Sequence, residues 1–433
     1  MNMRLELQKF NVTDIKFANK TSFESGTLYI NKLELEEKLG EDNLFDRVEI
    51  ELAHPGENVR IIEVMEAIEP RARRDGGDYP GVLTNPIEIV GQGVTDVLSG
   101  SAIILIDNTG DYDPKKLMVY GPVIEMSGPA AKYSVFSKTH NICILCYPSE
   151  KANIQSPEYK VAIKKAGFKA SVYLASSCKD ITPDETEIYD LPPLTEISKG
   201  KEELPKVVYV MNLYRYYFKE EYAFYGDTYR WTPSMLLHPN ELFDGAVINP
   251  YLNTNGPAPP SLDTYTIQNH PIVKELYARH GKDLLFLGVI PTVAMIEDDD
   301  VVSHANLAIK LAIQLGADGA ILTKATGGSP QMDVAHFAIN ASKYGIKSTL
   351  VMDDMAARRP DGKFSVNGII FNHPDAGAMV NTGNIMEFFL VPGVERSIGH
   401  IKEKVTEPQF NSVYGIFGQG AQLGNTNLME VKY

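Results

Sequence analysis

The chain has 433 residues, enough for two or three domains, and its 44% hydrophobic and 22% charged residues are ordinary for a globular protein. Its net charge of -15 would repel a phosphate backbone or an anionic membrane, and no apolar run approaches the ~18 residues that span a bilayer, so we expect no nucleic-acid or membrane partner. The three cysteines, Cys143, Cys146 and Cys178, are too few for a disulfide framework and indicate a reducing, cytoplasmic location.

Residues 1–135 are predicted to form a β-rich module. The segment from Arg47 to Ala53 alternates polar and apolar side chains, as a half-buried strand does. Turn signals such as Gly76-Gly77 and Pro80-Gly81 then recur at short intervals. Turns at such short intervals are typical of the short strands in a sandwich or a barrel.

Residues 136–245 are predicted to be an α/β segment that completes the first half of the chain. Short apolar runs predict buried strands, and a longer run with helical spacing predicts a helix. Cys143 and Cys146 lie in the first apolar run, where two buried thiols are a simpler interpretation than a redox or metal pair. The predicted strands are Asn141–Tyr147 and Lys206–Leu213, and the predicted helix is Pro157–Ser177.

Residues 246–269 are predicted to be a central joint between two halves. Pro257, Pro259 and Pro260 lie there among Asn, Thr, Gly and Ser residues. Proline lacks the backbone donor, and Gly and Asn favour turns, so this composition predicts a long exposed loop without helix or central strand. Long loops of this kind are often functional.

Residues 270–433 are predicted to be an α/β half with a doubly wound parallel sheet. Strand-like and helix-like runs alternate here, and such alternation gives a parallel sheet that is covered on both faces. The fold class is therefore α/β with a β-rich N-terminal module. The predicted strands lie within Asp283–Thr292, Gly319–Lys324, Lys347–Asp353 and Met386–Val391, and the predicted helices are Val301–Leu315 and Ser329–Tyr344.

Candidate ligand-binding residues lie at the ends of these strands, because parallel sheets bind ligands beyond the carboxyl ends of their strands. Gly327, Gly328 and Ser329, between a strand and a helix, could hold an anion with backbone N–H groups, although a tight turn with Ser329 as the N-cap is the simpler alternative. We expect these three residues, Lys324 and Asp353 to face a substrate cleft. Zinc and serine-hydrolase motifs are absent from the sequence, and we expect no metal.

The segment from Tyr214 to Trp231 is unusually aromatic. Half of its residues are aromatic, against 9% for the whole chain. The faces of Tyr and Trp rings attract cations by roughly 0.5–2 kcal/mol each, and cages of such rings hold quaternary ammonium groups. We therefore name Tyr225, Tyr229 and Trp231 as candidate substrate-binding residues. Packing of these rings in the core or in a subunit interface is the alternative.

Several long strings resemble the component B proprotein of glycine, sarcosine and betaine reductases, in the same order from end to end. The resemblance implies an oxidoreductase complex that cleaves the C–N bond of a small amine substrate. It also implies a selenoprotein or thiol subunit of component B and a protein A-like carrier as partners, and we expect an oligomer. The strings are RLELQKFNVTDIKF at the start, HPGENVRIIEVMEAIEPRAR at 54–73, YPGVLTNPIEIVGQGVTDVLSG at 79–100, MSGPAAKYSVFSKTHN at 126–141, DGAVI at 244–248, HPIVKELYARHG at 270–281 and SIGH at 397–400.

The resemblance further implies that the chain cuts itself at a cysteine in the joint and leaves a pyruvoyl group. No cysteine follows Cys178, and Asn253-Thr254 lies about where an Asn-Cys pair is expected. A hydroxyl could replace the thiol: Ser261 would leave a pyruvoyl group and Thr254 a 2-oxobutanoyl group, so Asn253, Thr254 and Ser261 are catalytic only if the chain cleaves itself. Hydroxyls are weaker nucleophiles than thiols, so we expect an intact chain without a cofactor.

Three classes of function remain open, the third of which is an amine-cleaving enzyme with a different cofactor at the strand ends. The first is the substrate-binding component of a glycine or betaine reductase-like complex, which presents an amine or a quaternary ammonium substrate to a selenol or thiol partner without a pyruvoyl group. The alternative is a non-catalytic amine-binding or scaffold paralogue on the same fold. A quaternary ammonium has no N–H for a Schiff base and leaves as a neutral amine, so the missing cysteine and the added aromatics together favour a betaine-like substrate.

We expect the purified protein to be a single chain near 48.0 kDa, because the joint lacks the cysteine. Denaturing mass spectrometry of the protein, expressed alone and together with its genomic neighbours, measures this directly. Two fragments that meet near Thr254 or Ser261, one of them with a ketoacyl end, would contradict the expectation.

Overall fold

The computed structural model describes most of the chain, and every structural statement below refers to the described residues. These are residues 3–108, 121–214, 222–228, 234–250, 252, 262–294, 298–324, 329–354, 376–386, 388–401, 405–420 and 423. None of the helices found among them is both long enough and apolar enough to cross a membrane.

The N-terminal module, which we define by the described residues up to 191, is β-rich; it includes residues 140–191, which were predicted to belong to the α/β segment of residues 136–245. Its helices are α1 (Lys32–Leu39) and α2 (Pro157–Ala175). Its strands are β1 (Met3–Asn11), β2 (Asp14–Phe17), β3 (Ser22–Glu24), β4 (Thr27–Ile30), β5 (Phe45–Ala53), β6 (Val59–Ile61), β7 (Val64–Ile68), β8 (Arg71–Arg73), β9 (Gly93–Ser99), β10 (Ser101–Ile106), β11 (Ile124–Glu125), β12 (His140–Pro148) and β13 (Glu185–Leu191).

Two mixed four-stranded sheets form the body of this module, in the orders β13-β1-β9-β8 and β5-β12-β10-β7. Helix α2 begins where the Ser156 side chain accepts a hydrogen bond from the Tyr159 N–H, with Pro157 in the first turn. The helix packs across β7, β8 and β10 and buries its apolar face against them. Cys143 and Cys146 of β12 lie in different core clusters, which confirms that these two thiols are buried on opposite faces of the sheet.

The elements from residue 206 onward complete the α/β architecture. The strands are β14 (Lys206–Tyr214), β15 (Tyr222–Phe224), β16 (Asp227–Thr228), β17 (Leu285–Ala294), β18 (Gly319–Thr323), β19 (Lys347–Asp354), β20 (Ala378–Asn384), β21 (Phe388–Val391), β22 (Arg396–Ile398) and β23 (Gln409–Ser412). The helices are α3 (Pro239–Phe243), α4 (Thr264–Gln268), α5 (Pro271–Arg279), α6 (Asp298–Gln314) and α7 (Ser329–Ser342).

A five-stranded, all-parallel sheet with the order β17-β14-β18-β19-β20 confirms the predicted parallel sheet. Helices α6 and α7 cover one face of this sheet. Helices α4 and α5 cover the other face together with β1 and β9 of the N-terminal module. The predicted strand at 386–391 corresponds to β21, which pairs antiparallel with β23 and is not part of the parallel sheet. The edge strand β20 was missed, because its sequence AMVNTGN is only weakly apolar.

The two halves are linked because each contributes a strand to a sheet of the other. Strand β14 precedes the joint but lies between β17 and β18, which both follow it. Strand β22 lies near the end of the chain and pairs parallel with β6 of the N-terminal module. Arg60 of β6 is fully buried and donates hydrogen bonds to the carbonyl oxygens of Pro392, Val405 and Glu407.

The joint is not wholly exposed, so that expectation was wrong at both of its ends. Ala246, Val247 and Ile248 are buried on the first side. Leu262 and all but one residue of α4 are buried on the second side, and α4 shows that the joint contains a short helix. Residues 251 and 253–261 lie outside the described residues.

We expect Gly81→Ala to destabilise the fold more than a typical left-handed glycine substitution would. Gly81 has a φ of +77°, and a Cβ atom there would lie 1.7 Å from the carbonyl oxygen of Tyr225. The clash adds to the roughly 1–2 kcal/mol that a left-handed alanine costs. Gly56→Ala is the matched control, because Gly56 has a φ of +82° and a Cβ atom there would have open space within 4 Å. Equal losses of unfolding free energy in urea would contradict the expectation.

Candidate functional site at the strand ends and the central joint

The parallel sheet has one point at which its strand order reverses. Strand β14 comes first along the chain, β17 lies on one side of it, and β18 lies on the other. Ligands of open α/β sheets bind beyond the carboxyl ends of the strands at such a point. The carboxyl ends of β14 and β18 carry Asn212 and Lys324, respectively. The topology therefore places a candidate binding site next to these two residues.

Lys324 and Asp353, both named from the sequence, form an ion pair at the ends of the adjacent strands β18 and β19. Both side chains are 0% exposed. An isolated charge is very costly in the interior, so each of these groups depends on its partner. Residues 325–328 and 355–375 directly follow these two strands and lie outside the described residues, so the cleft stays a prediction.

A second buried pair, Asn212 and Asp333, joins the end of β14 to α7. The Asn212 side-chain amide donates to the Asp333 carboxyl group at 2.5 Å. Burial raises the pKa of Asp333 to about 7, and the hydrogen bond from Asn212 only partly opposes this. Two oxygens of this pair, Oδ1 of Asn212 and Oδ1 of Asp333, are buried and have no hydrogen-bond partner among the described residues. A carboxyl group with a pKa near neutrality, beside two unsatisfied oxygens, is typical of a functional site.

A third polar group lies in the middle of the sheet. The Tyr209 hydroxyl contacts Thr323 Oγ1 at 2.5 Å and His270 Nε2 at 2.9 Å, and all three side chains are buried. Burial lowers the pKa of His270 to about 3, so the imidazole is neutral at pH 7. Burial also raises the pKa of Tyr209, which keeps the hydroxyl protonated. This chain of neutral groups connects β14 and β18 to the start of α5.

The two ends of the joint meet at one buried ion pair, Lys164 with Glu66, whose charged atoms are 3.2 Å apart. Lys164 donates to the Asn249 carbonyl oxygen on the first side of the joint. On the second side, the carboxylate of Glu66 accepts two hydrogen bonds from Thr264, one from the backbone N–H at 2.9 Å and one from the hydroxyl group at 3.1 Å. The Thr264 hydroxyl also accepts the Asn249 N–H at 3.0 Å, so the loop between them is closed at its base.

Asp263 adds a second titratable carboxyl group at the base of this loop. It caps α4, where it accepts the Thr266 N–H at 2.7 Å and the Thr266 hydroxyl at 2.9 Å. Burial raises the pKa of Asp263 to about 7, and the negative charge of Glu66 acts in the same direction. One turn before Lys164 in α2, Lys160 forms a buried ion pair with Asp107. The base of the joint is thus lined with buried charges.

The remaining predicted residues fall in three places. Tyr225 lies in the turn between β15 and β16, where its hydroxyl donates to Glu241 at 2.6 Å. Burial, and then the charge of Glu241, raises the pKa of Tyr225. Ser329 begins α7, and its side chain is not described. Asn253, Thr254, Ser261, Tyr229, Trp231, Gly327 and Gly328 lie outside the described residues, so their roles stay predictions.

The sequence did not single out Lys164, Glu66, Asn212 or Asp333. One local signal existed for Glu66, because it is the only charged residue in the fully buried strand VMEAI. A buried charge in a strand is rare unless it is paired. The other three depend on contacts between distant segments, which no local pattern reveals.

The chain's cysteines do not fit the pyruvoyl group that the family resemblance implies. All three are buried and lie before the joint: Cys143 and Cys146 in β12, and Cys178 just after α2. Burial raises the pKa of Cys178 to about 12 and also raises the pKa of the other two. The joint therefore lacks the cysteine from which the family resemblance derives such a group.

We expect Asp333→Asn to change how stability depends on pH. The folded pKa of Asp333 is near 7, against 3.8 for an aspartate in water, so its favourable contribution is present at low pH and is lost as the pH rises through that window. Asparagine cannot ionise, so the unfolding free energy of the variant should rise relative to wild type between about pH 4 and 7. Asp283→Asn is the control, because a hydrogen bond from Arg279 lowers the pKa of Asp283 and gives the opposite sign. The same slope for both variants in urea denaturation would contradict the assignment.

Comparison with known proteins agrees with the resemblance seen in the sequence. The family model for glycine/sarcosine/betaine reductase component B subunits matches residues 3–413. The sarcosine reductase complex component B subunit alpha of Peptoclostridium acidaminophilum is 35% identical over 401 residues, which are 92% of this chain and 89% of that protein. No solved structure matches the chain significantly.

Two further relatives extend this comparison. The glycine reductase complex component B subunits alpha and beta of Acetoanaerobium sticklandii are 33% identical over 407 residues, which are 94% of this chain and 91% of that protein. The betaine reductase complex component B subunit alpha of Peptoclostridium acidaminophilum is 33% identical over 408 residues, which are 92% of this chain and 88% of that protein. The chain therefore belongs to the family of glycine/sarcosine/betaine reductase component B subunits.

Proposed function

We propose that the protein is the substrate-binding component of a reductase complex and presents a small amine or quaternary ammonium substrate for reductive C–N cleavage. The observation that carries the proposal is the pair of buried oxygens, one on Asn212 and one on Asp333, without a hydrogen-bond partner among the described residues. Buried polar atoms in folded proteins are almost always hydrogen-bonded. Two such oxygens where α/β sheets bind ligands support the binding of a cationic molecule there, because its charge is complementary to their negative partial charge.

The charges around this point suit an amino acid derivative. Such a molecule has a carboxylate at one end and an ammonium group at the other. Lys324, which pairs with Asp353, is complementary to the carboxylate, and the carboxyl groups of Asp353 and Asp333 are complementary to the ammonium group. Burial excludes water and strengthens these interactions relative to the same charges at the surface.

A quaternary ammonium substrate accounts for the missing cysteine. A selenolate or thiolate of a partner subunit would attack the α carbon, and the C–N bond would break with its electron pair on nitrogen. The leaving group is then a neutral tertiary amine, and the carboxymethyl group of the substrate stays bonded to the partner's selenium or sulfur. This substrate has no N–H to condense with a ketoacyl group, so the chain would need only to hold and orient it.

We propose that the protein acts as one uncut chain without a ketoacyl group. The joint contains no cysteine, and its two ends are hydrogen-bonded to the same Lys164–Glu66 pair. The partners in this proposal are a selenoprotein or thiol subunit of component B and a protein A-like carrier, in an oligomeric complex. Relatives named for sarcosine, glycine and betaine resemble the chain to nearly the same degree, so the choice of substrate depends on the chain's own residues.

A non-catalytic amine-binding or scaffold protein is the second candidate, and the missing cysteine favours it equally. The two functions differ in turnover. Release of trimethylamine from glycine betaine, when the protein is mixed with the other subunits of its complex and a thiol reductant, supports the reductase component. Binding of the same ligand without any release of amine supports the scaffold.

We expect glycine betaine to bind the full-length protein at least about tenfold more tightly than glycine, since each aromatic face adds roughly 0.5–2 kcal/mol for a quaternary ammonium. Isothermal titration calorimetry measures both affinities. Trp231→Ala and Tyr225→Ala should weaken the binding of betaine, whereas Tyr344→Ala, which removes an exposed ring, should not. Absence of binding by every methylated amine would contradict the proposed substrate class.

The same titration locates the carboxylate of the ligand. Lys324→Met should weaken the binding of glycine betaine and glycine alike, because both carry a carboxylate. Lys343→Met is the matched control, because Lys343 is exposed at the end of α7. Circular dichroism verifies that the variants fold. Unchanged affinity in a folded Lys324→Met variant would exclude the strand-end site.

A further inference from the structure

Three potential metal ligands meet on the N-terminal module, far from the strand-end site in sequence. Asp14 begins β2, His54 directly follows β5, and His140 begins β12. Strands β5 and β12 are antiparallel with Ala53 opposite Asn141, so the next position along places His54 opposite His140. Asp14 approaches from the neighbouring β2-β4-β3 sheet. The ligand atoms of the three side chains all lie within 4.8 Å of one another.

The distances suit one tetrahedral ion. The Nδ1 atoms of His54 and His140 are 3.2 Å apart, and Asp14 Oδ1 is 3.7 Å from the His54 Nδ1. Two bonds of about 2.0–2.1 Å at a tetrahedral angle put the ligand atoms roughly 3.3 Å apart. The two imidazoles therefore already have the separation that a shared zinc-sized ion requires. The distance from the Asp14 carboxylate to His54 would have to shorten by only a few tenths of an ångström.

Neighbouring groups orient two of the three ligands, Asp14 and His140. Asp14 Oδ1 accepts the Ile15 N–H at 2.9 Å, while its other oxygen, Oδ2, pairs with Lys16 at 2.5 Å. His140 makes a hydrogen bond with the backbone of Thr13. A metal-binding imidazole typically makes such a bond with the rest of its ring, which fixes the tautomer and the ring orientation.

The cluster is accessible from solvent. The side chains of His54 and Asp14 are 30% and 32% exposed, and His140 is also only partly buried. An ion could therefore reach the three ligands without unfolding the module. Three protein ligands leave a fourth tetrahedral position open to water or to a small ligand, as in zinc sites that are not purely structural.

We propose that Asp14, His54 and His140 form a binding site for one divalent transition-metal ion of the zinc class. Two imidazoles and one carboxylate select such ions over magnesium and calcium, which prefer oxygen ligands. The ion would fasten the β2-β4-β3 sheet to β5 and β12. The sequence alone did not indicate a metal, because the three ligands lie at positions 14, 54 and 140 and form no local motif.

The test uses the full-length protein after treatment with a chelator and dialysis, with Co²⁺ as a spectroscopic probe. We expect one Co²⁺ per chain with the visible absorption of a tetrahedral site, and stoichiometric displacement by Zn²⁺. Replacement of a ligand in His54→Gln or His140→Gln should weaken the binding at least about tenfold. The control is His336→Gln, which removes a partly buried histidine of α7 from outside the cluster.

Thermal denaturation gives a second readout. Zn²⁺ should raise the melting temperature of the wild type and of His336→Gln, and leave those of His54→Gln and His140→Gln unchanged, because binding to the folded state alone stabilises it. Asp14→Asn keeps the shape of the side chain, so it carries the test if a histidine variant fails to fold. Absence of stoichiometric Co²⁺ in the wild type, or equal affinity in a folded ligand variant, would overturn the site and leave two imidazoles joined by a hydrogen bond only.

Discussion

The buried ion pair between Lys164 and Glu66 holds both ends of the central joint against the N-terminal module. Lys164 is on α2 and Glu66 on β7, and the same two side chains bind Asn249 before the joint and Thr264 after it. Their side chains are 5% and 0% exposed. Removal of one partner from such a pair costs about 3–5 kcal/mol, because the other charge stays buried without compensation.

Much of the α/β architecture could be predicted because it follows from local patterns of apolar residues in the sequence. The runs that became β14, β18 and β19 are short and apolar, and the alternation of such runs with helices implies a parallel sheet. Lys324 and Asp353 could be found for the same reason, since both follow from the position of a strand end. The contact of Asn212 with Asp333 could not, because it depends on how α7 packs on β14. The pKa of Asp333 depends in turn on that burial.

The joint shows where local propensity misleads. Its Pro, Gly and Asn residues exclude a regular strand, and from this the sequence predicted exposure. The backbone on both sides is nevertheless buried, because side chains of the N-terminal module supply its hydrogen bonds: Lys164 binds the Asn249 carbonyl group and Glu66 binds the Thr264 N–H. The ends of a segment rich in turn-forming residues can therefore be buried when distant charged groups satisfy the backbone there.

The position of β14 has a consequence for how the polypeptide can be divided. This strand is synthesised before the joint, yet both of its neighbours in the sheet, β17 and β18, are synthesised after it. A nascent chain that ends in the joint would present both edges of β14 unpaired, and unpaired strand edges associate with other chains. Any scission of the backbone in the joint must therefore come after folding. Its two products would then remain interleaved through the sheet and could separate only by unfolding.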